Sequence, residues 1–257
     1  MAYEIKDFQH ESDSSTISQI FSNSVAQSVI NTLKATNMEE VYKYLYESSC
    51  PQLTEKNSPK LYLELNRACE MFGLNTLPKI FITRNYTQMV SVLGISNPFI
   101  LFSSEYLKKL NGEMLFGILS GQVAAIRCEH NKIIYIIWAL EFASSFIPFS
   151  TLILEPLINN WKRCRFFTYD RAFSLATKSR RLSLKQILLN VVPKNILDKM
   201  SLGTEKDVFA TQANHFINDM NQTQTGIKTA IEMFSEKDWL PMRYAEVNKF
   251  FDERRYE

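Results

Sequence analysis

The chain has 257 residues, 46% of them hydrophobic and 22% charged, a balance that supports a buried core without disulfide or metal staples. Its 29 lysines and arginines stand against 27 acids, a net charge of +2, which is too small to neutralise a phosphate backbone and argues against a nucleic-acid partner. Cys50, Cys69, Cys128 and Cys164 are far apart with no CxxC pair, so neither a disulfide framework nor a zinc ribbon is indicated and a reducing compartment fits. The start, MAYEIKDFQHESDSS, lacks the basic and apolar runs of a secretory signal, so the expected location is cytoplasmic.

The first part reads as helical. Ile17, Ile20, Phe21, Val25, Val29 and Ile30 give Ser15 to Leu33 an apolar helical face, and Asn37 with Glu40 resembles a capping box for a second helix. Ser58 and Pro59 open a third, with Leu61, Leu65, Ala68 and Phe72 on one face and Gly73 as its stop. The texture then changes, because Lys79 to Thr83, Met89 to Leu93 and Phe99 to Phe102 are short β-branched or aromatic runs separated by turn formers. From Ser103 onward helical spacing returns, with starts at Asn111, Thr204 and Pro241. No linker or repeat divides the chain. The expectation is one α+β, mostly α domain with a three-stranded sheet: a helical lead-in over 1–76, a sheet and central helices over 77–180, and C-terminal helices over 181–257.

Ile133 to Ile158 is the most apolar stretch, interrupted by charge only at Glu141 and Glu155. A carboxylate at bilayer depth is costly and Pro148 breaks a helix, so two shorter helices, buried or touching a membrane from one side, are expected rather than a span.

Several separated strings resemble the zinc metallopeptidases of the HtpX and CAAX prenyl protease type. Leu77 to Leu110 matches the family's run of three strands and a short helix, and NGEMLFGILSGQVAAIRCEHNKIIY matches its HExxH helix, with Glu113, Ile126, Arg127 and His130 in place. WKRCRFFTYDRAFSLAT resembles the helix of the third ligand and keeps Asp170 and Arg171, while WLPMRYAEVNKFF resembles the closing segment with Arg243. The resemblance places the two histidines at Gly121 and Ala125, the general base at Gln122, the third ligand at Phe166, and a substrate-contacting asparagine at Met89.

Two histidines four apart on a helix grip zinc from one face, and the glutamate between them polarises the bound water. Glycine, alanine and phenylalanine offer no lone pairs and glutamine is no carboxylate base, so these four positions cannot assemble that site. No catalytic residue and no zinc is therefore expected, and the Phe166 ring is expected to lie over Gly121 and Ala125, filling the metal's volume. Cys128 and His130 point about 200° apart if helical and cannot share an ion. Ser120 lacks the flanking glycines of a nucleophile elbow.

The resemblance implies a catalytically inactive relative that binds a peptide or protein partner and regulates an active peptidase. Its expected peptide-binding edge is Phe99, Ile100, Leu101 and Phe102, pairing through backbone groups. Alternatives are a peptidase with unconventional ligands or one completed by a partner, and a membrane-proximal scaffold using 133–158 as a peripheral contact.

Overall fold

The computed structural model describes residues 2–84, 89–144, 154–189, 191–222 and 239–254. The fold is α+β and mostly α, with one small mixed sheet. Four helices lead in: α1 (Ile5–Phe8), α2 (Glu11–Ser22), α3 (Ser24–Ala35) and α4 (Met38–Ser49). The helix expected from Ser15 to Leu33 is broken at Asn23, whose extended backbone ends α2 and whose Oδ1 accepts from Val25 N at 2.9 Å to start α3. Asn37 makes no side-chain cap and sits left-handed (φ 51°). The neighbouring Glu39 ties α4 to a distant turn, accepting from Ile95 N (2.8 Å), Ser96 N (2.6 Å) and Ser96 Oγ (2.9 Å).

Pro59 begins and Gly73 ends α5 (Pro59–Phe72), as the sequence predicts; Gly73 adopts φ +66° and its carbonyl accepts from the Arg127 guanidinium. The three predicted strands form as β2 (Lys79–Thr83), β3 (Val90–Leu93) and β4 (Phe99–Ser103), and a two-residue β1 (Gln52–Leu53) adds a fourth in the order β1-β2-β4-β3. β4 is therefore interior, parallel to β2 on one side and antiparallel to β3 on the other. Phe99, Ile100, Leu101 and Phe102 cannot be a peptide-binding edge, because their backbone groups are committed to both neighbours.

Strand alternation divides the sheet's side chains between two cores. Ile80, Val92, Ile100 and Phe102 pack against α5 and the central helices, whereas Phe81, Leu93, Phe99 and Leu101 meet Leu33, Cys50, Tyr135 and Ala139. The sheet's edges are the two-residue β1 and β3. Ser103 N donates to Met89 O, which phases the ladder so that Val90 and Val92 turn their backbone groups outward. Val92 is nevertheless 0% exposed, and α8 (His130–Ser144) runs beside this strand, with Asn131 Nδ2 bonding Gly94 O at 2.6 Å.

After the short α6 (Ser104–Leu107) come α7 (Gly112–Arg127) and, beyond α8, α9 (Glu155–Thr177). Met114 is buried, and so is every residue from Phe116 to Ile126, so α7 is enclosed on all sides. The expected 133–158 pair is carried at its ends by α8 and α9, where Ile133, Ile136 and Leu140 pack with Ile158, Trp161 and the α2 residues Ile17 and Ile20; Pro148 lies outside the described residues. No helix among the described residues is long and apolar enough to cross a membrane. The chain continues with α10 (Arg180–Leu188), α11 (Lys194–Leu197), α12 (Val208–Gln222) and α13 (Leu240–Arg254). The start expected at Thr204 falls instead at Asp207, whose Oδ1 accepts from Phe209 N and Ala210 N at 3.1 and 3.2 Å.

The α7–α9 pair is the spine of the molecule. A Cβ at Gly117 would stand 2.4 Å from the Phe173 ring, and one at Gly121 would stand 3.4 Å from Tyr169. Gly117 to Phe173 and Gly121 to Tyr169 are successive rungs of an antiparallel ladder, four residues apart on each helix, with backbones brought close by missing side chains. Gly117→Ala is expected to destabilise by about 1–3 kcal/mol through overpacking against Phe173. Gly121→Ala is expected to be neutral or up to about 1 kcal/mol stabilising, since alanine favours the helix and only an ordinary contact forms. Urea denaturation of both variants checks the contrast; equal effects would show that the rungs are not as described.

Candidate functional site

Gly121, Gln122 and Ala125 lie mid-way along α7 and are all buried, with Ala125 at 0% and Gln122 at 4% exposure. The atoms nearest a Cβ on Gly121 all belong to Tyr169. The expectation that Phe166 covers this spot therefore fails at Gly121; Tyr169, three residues further along α9, faces it. The Phe166 ring instead contacts two cations, with the Arg243 and Arg165 guanidinium carbons 4.5 and 4.9 Å from its centroid. Gly121, Ala125, Phe166 and Tyr169 present hydrogen, methyl, phenyl and phenol groups, none of which forms a zinc site of the ordinary kind. Gln122 keeps an amide, but its Oε1 is buried and has no hydrogen-bond partner.

The polar residues around these helices are organised into three clusters. Arg243, near the start of α13, grips Asp170 of α9 with two charge-assisted bonds, Nε to Oδ2 at 2.8 Å and an Nη to Oδ1 at 2.7 Å. Gln186 of α10 donates to the same carboxylate, and the Ser174 hydroxyl donates to the Asp170 carbonyl at 2.7 Å, so the pair knits α9, α10 and α13. Arg171, the next residue, points elsewhere: it lies 3.9 Å from Glu246 and 5.6 Å from the Phe250 centroid. Glu246 also receives His10 at 3.4 Å, and that hydrogen bond draws its carboxyl below the usual range.

The third cluster is fully buried. His130 Nε2 lies 2.9 Å from Asp13 Oδ2, which also accepts from Thr168 Oγ1 at 2.7 Å, and His10 N donates to the same Thr168 oxygen at 3.1 Å. Asp13 thus pins α2 to α8 and α9. The His130 ring stands edge-on to Trp161 and Tyr169, each at 5.4 Å between centroids. Cys128 and His130 do not share a helix, because α7 ends at Arg127 and Glu129 is left-handed (φ 62°).

Among the described residues no three histidine, cysteine, aspartate or glutamate side chains converge as a metal site would require. Cys128 and Cys164 are held as thiols: burial, aided by Asp13, raises Cys128 strongly and pushes Cys164 up to about 11. Such groups are poor nucleophiles and poor ligands. Ser120 is buried with its hydroxyl unbonded, consistent with a helix-packing residue.

Five side chains, two of them expected to matter, form a contiguous patch on α9 and its neighbours: Trp161, Arg165, Phe166, Tyr169 and His130. The Arg165 guanidinium carbon stands 5.1 Å from the Trp161 centroid, and the Phe166 and Tyr169 rings are 6.1 Å apart. Sequence reasoning missed Asp13, Trp161, Arg165 and Tyr169, although two signals were available. Gly117, Gly121 and Ala125 repeat at four-residue spacing, which marks a close helix contact, and Trp161, Arg165 and Tyr169 repeat likewise on α9.

No protein-family model, no curated protein and no solved structure matches the chain. The buried ion pair is the most consequential of the three clusters for stability. Arg243→Ala strands the Asp170 carboxylate, 2% exposed, and is expected to cost about 3–5 kcal/mol. Arg243→Lys is expected to recover only part of this, because an ammonium cannot reproduce the two-pronged grip. Chemical denaturation of both variants reads the loss directly; an effect below about 1 kcal/mol, the range of exposed pairs, would contradict it.

Proposed function

We propose that this chain is a non-catalytic relative of the metallopeptidases of the HtpX and CAAX prenyl protease type and works in the cytoplasm by binding a peptide or protein partner. The observation that carries the proposal is the α7–α9 interface, where every position aligned with a zinc ligand bears a group without metal affinity and Tyr169 packs directly on Gly121. The framework around it supports the kinship. Asp170 and Arg243, singled out by the resemblance and 73 residues apart, form a bidentate buried pair, and His130 is held by a buried carboxylate.

Partner binding by strand addition is not the favoured route. β4 is interior and the outward groups of Val92 on β3 are buried, so the α9 side chains beside the former ligand positions are the better candidates for contact.

Incubation of the purified chain, supplied with zinc, with a defined peptide library, followed by gel filtration and mass spectrometry, tests the proposal. Intact peptides co-eluting with the protein, with no shortened products and no effect of a chelator, are expected. Shortened peptides that disappear on chelation would establish a peptidase and sink it.

A further inference from the structure

Beside Trp161 two buried hydrogen-bond donors are left unpaired. The Trp161 indole Nε1 and the Arg165 Nε are both buried and both lack an acceptor. Interiors rarely leave such groups unpaired, and an orphaned donor is a standing invitation to an acceptor.

Arg165 differs from the other partly or fully buried arginines among the described residues. Arg127 donates to the Gly73 carbonyl, Arg163 to Asn160, Arg180 to Asp252 and Arg243 to Asp170, while Arg171 lies beside Glu246. Among the described residues no carboxylate or carbonyl bonds Arg165. Its contacts are the faces of Trp161 and Phe166, which orient the guanidinium without neutralising it. The buried acids of the neighbouring clusters bond elsewhere: Asp13 bonds His130 and Thr168 through Oδ2, with Oδ1 unbonded, and Asp170 bonds Arg243 and Gln186. A partly desolvated, oriented and uncompensated guanidinium is a receptor for an oxyanion.

We propose that the α9 face carrying Trp161 and Arg165 binds an oxyanion, a carboxylate or a phosphate group, which the Arg165 guanidinium grips beside the Trp161 indole N–H. The site lies one helical turn from Tyr169, the residue packed on Gly121. It rests on the non-catalytic reading only in being the contact surface for that partner. Arg165 supplies the charge, Trp161 a second donor and a flat wall, and Phe166 another aromatic wall.

Side-chain Nε–H resonances of the 15N-labelled chain, titrated separately with acetate, phosphate and chloride at constant ionic strength, test the site. Trp161→Phe and Arg165→Lys assign the two signals. Saturable shifts of both with acetate or phosphate, and none with chloride, are expected. Saturation by acetate alone identifies a carboxylate-bearing partner, and by phosphate alone a phosphate-bearing one. Arg165→Gln is expected to weaken the interaction by at least about tenfold, as loss of a charge-assisted bond implies, with Arg165→Lys in between. The Trp138 and Trp239 indole signals report whether each variant keeps its fold. Shifts that stay linear in every arm, or saturation that Arg165→Gln or Arg165→Lys leaves unchanged, would overturn the proposal. Neither result touches the peptidase question, because the titration contains no peptide bond to cut.

Discussion

The close approach of α7 and α9 is the constraint on which the rest of the molecule depends. Gly117 admits the Phe173 ring where any side chain would collide, and Gly121 admits Tyr169 in ordinary contact. Two buried helices so close bring their facing turns into direct contact, with the Phe173 ring against Gly117 and the Tyr169 ring edge and backbone against Gly121. α5 and the sheet pack on one flank of α7, and α2, α10 and α13 on the exposed flanks of α9. The sheet is consequently covered on both faces, which is why its strands read as nearly continuous apolar runs.

Polar chemistry is concentrated along α9, and its compensation is uneven. Asp170 is matched by Arg243, Gln186 and the packing of three helices. Asp13 is matched by His130 and Thr168. Buried charges are tolerated only when paired in this way. Arg165 breaks the pattern: it has aromatic walls and no counter-charge. Two unpaired donors, Trp161 Nε1 and Arg165 Nε, beside a guanidinium with no counter-charge are what single out this face for the proposed anion site.

Much of the fold was legible because local chemistry decided it. Pro59 and Gly73 bracket α5, and the β-branched runs at 79–83, 90–93 and 99–103 are strands. Other features depended on partners far along the chain. The order β1-β2-β4-β3 buries the Phe99–Phe102 run between two strands, and no periodicity reveals which strand ends at an edge. The break at Asn23 came from one side chain bonding Val25 N, a choice that competes evenly with helix continuation in the sequence. At the site, counting ligand positions put Phe166 against Gly121, whereas the rotation of α9 presents Tyr169. A three-residue offset on a helix is a change of facing, and only the glycine spacing on α7 hinted at it.

A crystal of the chain grown with excess zinc, with anomalous data collected at the zinc edge, asks most directly whether aromatic packing has replaced metal coordination between these helices. The expected map has no anomalous peak between α7 and α9, and shows the Tyr169 ring seated on Gly121. A peak there at bonding distance from protein donors, with Tyr169 displaced, would contradict it.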